Sequence, residues 1–148
     1  MSLDPPLDDL YKDIILEHYR SPRNPGRLTA FDVEASGNIP VCGDKILLQL
    51  RLNGDTVEEV GFVGTGCSIS QSSASLMTEA IKGRTLEDIQ ALGVAFKRMM
   101  RGEVPGKTAL GDLEALSGVA KFPVRIKCAL LAWVALEEGI HSRGSKSA

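Results

Sequence analysis

Cysteine is scarce in this 148-residue chain, with three residues, and histidine scarcer, with two. Three thiols make no disulfide framework, and the C-x-x-C spacing common in zinc modules is absent, so spacing alone says little about metal. His18 fits the apolar stripe of a helix and His141 lies in a Gly/Ser-flanked tail, which leaves a Cys-His hydrolase without an orienting partner. No sign of charge dominates: 17 Lys and Arg face 19 Asp and Glu, and a net charge of −2 offers no basic surface for nucleic acid or an anionic membrane. The longest apolar run, Cys128–Leu136, falls far short of the ~20 residues of a spanning helix. The glycines before Cys67 lack a following Lys-Ser/Thr, which argues against a phosphate-binding P-loop. The acidic, proline-bearing start (Asp4, Pro5, Pro6) is unlike a signal peptide.

What is present is an ordinary soluble composition, 43% apolar and 24% charged, in a chain long enough to bury one core without staples. Residues 1–148 read as a single domain with disordered tails at 1–6 and 142–148. Unpaired thiols in such a chain point to a reducing cytoplasm.

Leu7, Leu10, Tyr11, Ile14, Ile15, His18 and Tyr19 recur at helical spacing and predict a first helix over 7–20, ended by Pro22 and Pro25. A strand is expected around Phe31–Ala35. Ile46, Leu48, Leu50 and Leu52 alternate with polar residues, and Asn53-Gly54 predicts a hairpin turn. The return strand holds Val57, Val60 and Phe62, whose parity break predicts a bulge. From Ser68 the period changes to 3.6. One helix is expected over 68–82 with Gly83 closing it, and a second after the Thr85/Asp88 cap pair. A surface loop over 101–111 and a short helix over Asp112–Leu116 follow. Pro123 opens the last helix, anchored by Trp133 and expected to stop at Gly139. Met77, Met99 and Met100 read as packing residues. Strands followed by helices give an α+β fold, a small three-stranded antiparallel sheet with helices packed on one face.

The three cysteines do not sit where a space-filling cysteine would. Cys42 is in a Pro/Gly loop, one glycine from Asp44. Cys67 stands where strand gives way to helix, where free N–H groups and the positive helix end favour a thiolate. Cys128 lies about one turn into the last helix, after Arg125 and Lys127. Three thiolates and a carboxylate form a tetrahedral set suited to zinc, which with the ion bound would carry about −2 formal charge, part of which Arg125 and Lys127 are placed to offset. The alternative for these two residues is solvated helix surface.

Four blocks carry a family resemblance: L-Y-K-D-I-I-L-E-H-Y-R-S-P-R-N-P-G (Leu10–Gly26), P-V-C-G-D (Pro40–Asp44), G-T-G-C-S-I-S-Q-S-S-A-S (Gly64–Ser75) and L-E-A-L-S-G-V-A-K-F-P-V-R-I-K-C (Leu113–Cys128). Over about residues 10–139 the chain resembles the U-type iron–sulfur assembly proteins, the IscU/NifU N-terminal-like superfamily. IscU-like scaffolds carry a histidine immediately before the last cysteine. Lys127 stands there, and the stretch from Cys67 to Cys128 is lengthened around Gly102–Gly118. Both features match the SufU branch of zinc-dependent sulfurtransferases.

The resemblance implies a zinc site of Cys42, Asp44, Cys67 and Cys128, with Cys42 as sulfur acceptor. It also implies a pyridoxal-phosphate cysteine desulfurase of SufS type as donor partner, and cluster-assembly proteins downstream. The alternative is a scaffold on which the same thiolates hold iron or a transient [2Fe–2S] cluster. A structural zinc module without turnover is the third reading.

Overall fold

A computed structural model describes residues 9–40, 43–103 and 108–147. The expected contributions of Leu7, the 1–6 tail and Cys42 lie outside them. Helix α1 (Asp9–Arg20) is followed by strands β1 (Val33–Ile39), β2 (Asp44–Asn53) and β3 (Thr56–Thr65). Helices α2 (Ser68–Ile81) and α3 (Leu86–Met100), a 3₁₀ segment (Gly111–Lys121) and α4 (Pro123–Ser147) complete the chain. The sheet is antiparallel in the order β1-β2-β3. Its register slips between Arg51 and Leu52, opposite Glu59 and Val57, which makes Glu58 the bulged residue. The slip lets Val57 and Val60 both point inward, and Arg51 pairs with Glu58 and Glu59 on the outside.

Alternation along β2 puts Asp44, Ile46, Leu48 and Leu50 on the buried face. Helix α4 packs on the β1 side of that face and α2 beside it, with α1 laid on α2. Trp133 stacks on Phe96 of α3 at 4.8 Å between ring centroids, so α4 is anchored as expected. Thr85 Oγ1 accepts the Asp88 N–H at 3.1 Å, and Gly83 closes α2 at φ +84°.

Three boundaries differ from expectation. Strand β1 runs over Val33–Ile39, leaving Phe31 exposed, because its inward row of Val33, Ala35, Gly37 and Ile39 is small and carries little hydrophobic signal. Instead of a short helix at Asp112–Leu116, 3₁₀ structure extends to Lys121. Its buried Leu113, Leu116 and Val119 recur every third residue, the period of a 3₁₀ helix. Helix α4 does not stop at Gly139 but continues to Ser147, through most of the segment expected as a tail. Gly139 is not a left-handed cap: a Cβ there would stand 2.9 Å from Val33 Cγ1 and 3.0 Å from Ala35 Cβ. The glycine lets the helix lie against β1.

Candidate metal centre

Strand parity turns Asp44 toward the core at the first position of β2, where it is fully buried. Cys67 faces it from the start of α2. There it is the N-cap, and its Sγ accepts the Ser70 N–H at 3.5 Å while Ser70 Oγ donates to the Cys67 carbonyl at 3.1 Å. The Cys67 N–H donates to Asp44 Oδ1 at 2.9 Å, and the thiol lies 3.6 Å from Oδ2. Gly66 makes this approach possible, since an added Cβ would fall 2.3 Å from Asp44 Oδ1. Cys128 enters from α4, 2% exposed.

One donor atom from each of Asp44, Cys67 and Cys128 lies within 4.8 Å of the others, although the residues come from β2, the β3–α2 junction and α4. Burial, then the Cys67 thiol, then Asp44 push the Cys128 thiol above its ordinary pKa. Ionising the buried Cys128 thiol beside Cys67 and Asp44 is therefore costly, and a divalent cation between them removes that penalty. Tetrahedral zinc with Zn–S bonds of ~2.3 Å holds its sulfurs about 3.8 Å apart, so only a small closure separates this set from a ligand sphere. The donors present fit zinc.

Cys42 belongs to the connection from Ile39 to Asp44 and lies outside the described residues; its neighbour Gly43 turns at φ +72° and donates to the Ile39 carbonyl at 2.9 Å. Arg125 is half-buried and Lys127 exposed near the start of α4. His18 is away from the centre, buried in α1 with Nδ1 2.7 Å from Ser75 Oγ. His141 is exposed, and Met77, Met99 and Met100 are core residues. Among the described residues, no other group of acids, thiols or imidazoles is close enough to hold a metal.

Sequence reasoning missed the layer behind Cys67. Ser70 supports the cap, and the buried Gln71 donates from Nε2 to Ser70 Oγ at 3.2 Å. Ser70, Ser72, Ser73, Ser75 and Thr78 are all buried on α2. A helix this rich in serine that still carries Ile69, Leu76, Met77 and Ile81 is surrounded by protein, and that density of small residues was the available signal.

The NifU-like N-terminal domain family matches residues 10–143. The chain is 50% identical over 141 residues to the zinc-dependent sulfurtransferase SufU of Bacillus subtilis, covering 95% of each protein. It is 42% identical over 135 residues to the iron–sulfur cluster assembly scaffold protein IscU of Streptococcus pyogenes, covering 90% of this chain and 84% of that one. The crystal structure of FiSufU from Fervidobacterium islandicum, a proposed scaffold of the SUF system, superposes with a TM-score of 0.82 at 30% identity. The match spans 86% of this chain and 93% of that one.

Proposed function

This chain belongs to the NifU-like N-terminal domain family, and from that premise we propose that it is a zinc-dependent sulfurtransferase serving iron–sulfur cluster assembly in the cytoplasm. The observation that carries the proposal is the convergence of Asp44, Cys67 and Cys128 on one point. Cys42 completes the ligand set and is the sulfur acceptor. Zinc, when bound, supplies a redox-inert positive charge that keeps the thiols ionised.

The donor is a pyridoxal-phosphate cysteine desulfurase of SufS type carrying a persulfide. The Cys42 thiolate attacks the outer sulfur of that persulfide; a new S–S bond forms on Cys42 and the partner's cysteine leaves as thiolate. Burial closes Cys128 to a sulfur held on another protein, and Cys67 is occupied as a helix cap. Cys42 is the one left to meet the partner. Arg125 and Lys127 temper the negative charge of the centre, and Lys127 stands where the scaffold branch has histidine. The similarity to the Bacillus protein supports this choice of branch.

The decisive measurement is desulfurase turnover with and without this protein, with metal content determined on the same sample. Cys42→Ala is expected to abolish stimulation while the fold survives; normal stimulation by that variant ends the assignment of the acceptor. The similarity to an IscU scaffold favours a second reading, a platform for a [2Fe–2S] cluster on the same thiolates. A cluster stable after anaerobic reconstitution and passed to an apo-protein, with no zinc dependence of desulfurase activity, selects that reading instead.

A further inference from the structure

The three described donors stand on three elements, so each pair of elements must be held at a fixed separation for the centre to close. Strand β2 and α2 are tied directly, by the Cys67 N–H on Asp44 Oδ1. Helix α4 is set against the sheet by two glycines. A Cβ on Gly37 would stand 3.1 Å from Leu131 Cδ1, and the Gly139 contacts with Val33 and Ala35 are as close. The remaining pair, α2 and α4, carries Cys67 and Cys128.

The two helices pack against each other, and both bury small side chains, among them Ser73 and Ala74 on α2 and Ala129 and Ala132 on α4. Small residues allow close approach, and a hydrogen bond between the helices adds a directional constraint that apolar packing lacks. Among the described residues, and apart from the contact of the Cys67 and Cys128 thiols themselves, one polar bond crosses from α2 to α4: Ser73 Oγ donates to the Ala129 carbonyl at 2.6 Å. Ala129 immediately follows Cys128 in the chain. Ser73 is six positions after Cys67, about 9 Å along the α2 axis.

We propose that Ser73 is a positioning residue for the metal centre, holding Cys128 in register with Cys67 through its hydrogen bond to the Ala129 carbonyl. The local chain does not require this bond. The Ala129 carbonyl lies inside α4, where the helix ladder already supplies a donor. A buried serine can also satisfy itself on its own helix, as Ser72 does by donating to the Ile69 carbonyl at 3.3 Å. Ser73 reaches across instead, to the peptide beside a ligand, and metal–sulfur bonds tolerate only about 0.2 Å of error.

Ser72 supplies the matched control, being equally buried with a bond confined to α2. Zinc affinity is measured by competition with a chromophoric chelator, and Co2+ substitution reports thiolate ligation through its charge-transfer band. Ser73→Ala is expected to weaken zinc binding about 10- to 100-fold and to shift the cobalt band, while its metal-free melting temperature matches that of Ser72→Ala. Ser72→Ala should bind zinc like the wild type. Ser73→Thr, which keeps the hydroxyl, should recover at least half of the loss on a logarithmic scale.

Wild-type affinity in Ser73→Ala, an equal loss in Ser72→Ala, or a folded Ser73→Thr as weak as Ser73→Ala each overturns the assignment. A Ser73→Ala chain that fails to fold overturns it too, by making Ser73 a folding residue. The inference rests on the metal centre proposed above. A wild-type protein that binds no zinc ends that reading, whereas zinc binding indifferent to Ser73 ends only this one.

Discussion

Replacing Gly66 with alanine strikes the centre without removing a single donor atom. The backbone there has φ +148°, a conformation that costs a residue with a Cβ about 1–3 kcal/mol. The new Cβ would stand 2.3 Å from Asp44 Oδ1, 2.8 Å from its Cγ and 2.8 Å from Ser70 Oγ, so the buried carboxylate must move. Moving it breaks the bond from the Cys67 N–H, and a hydrogen bond to a charged group contributes about 1.5–3 kcal/mol. The two costs together come to about 2.5–6 kcal/mol, against a total stability of about 5–15 kcal/mol for a domain. At about 2–4 °C per kcal/mol, the metal-free melting temperature should fall by about 5–24 °C. Zinc affinity should fall with it, because Asp44 no longer faces the sulfurs. Thermal unfolding by circular dichroism and chelator competition read the two effects. Gly54→Ala is the internal control. Its φ of +63° is also left-handed, but no atom lies within 4 Å of the added Cβ, so only a backbone cost of about 1–2 kcal/mol remains. A Gly66→Ala protein that melts with Gly54→Ala and binds zinc normally would refute the reasoning.

The Cys128 thiol supplies a pH test on the metal-free protein. Its pKa in the fold is raised, chiefly by burial, so its contribution to stability is full while the unfolded chain's thiol is still protonated, below about pH 8.5. Above that value the unfolded chain ionises first, and stability falls as pH rises. The melting temperature should therefore decline from about pH 8.5 upward, and less steeply in Cys128→Ser; identical slopes in the two proteins would contradict this. Zinc affinity should run the other way, strengthening with pH because the ligand thiols must shed protons, which a chelator titration at several pH values reads. Trp133 is 1% exposed and its Nε1 has no hydrogen-bond partner among the described residues. Trp133→Ala should cost about 3–5 kcal/mol in urea unfolding and Trp133→Phe much less, since phenylalanine keeps a ring against Phe96 and removes an unsatisfied donor. Equal losses would mean that the indole N–H matters.

How much of the fold could be read in advance depended on how local each signal was. The turn at Asn53-Gly54, the alternation of Ile46, Leu48 and Leu50, the parity break at Val57 and Val60, and the Thr85 cap are all set within a few residues, and the structure carries each of them. Gly139 was misleading because a glycine has two uses, a left-handed cap and a close approach. Only the position of β1 shows that the second applies. The spacing of Leu113, Leu116 and Val119 was open to view, but its period of three becomes meaningful once all three are seen buried on one side.

The amino-acid order by itself determined the elements, their order and the chemistry available, since periodicity, capping and side-chain type act along the chain. It also put Asp44 one residue past Gly43 and Cys67 at a helix start. Tertiary structure alone decided that positions 44, 67 and 128 share one small volume. Their spacing there is the sum of close approaches at Gly37, Gly66 and Gly139 and one bond between helices. Each of those joins residues far apart in the chain, and no local pattern records the distance between two elements that have yet to meet.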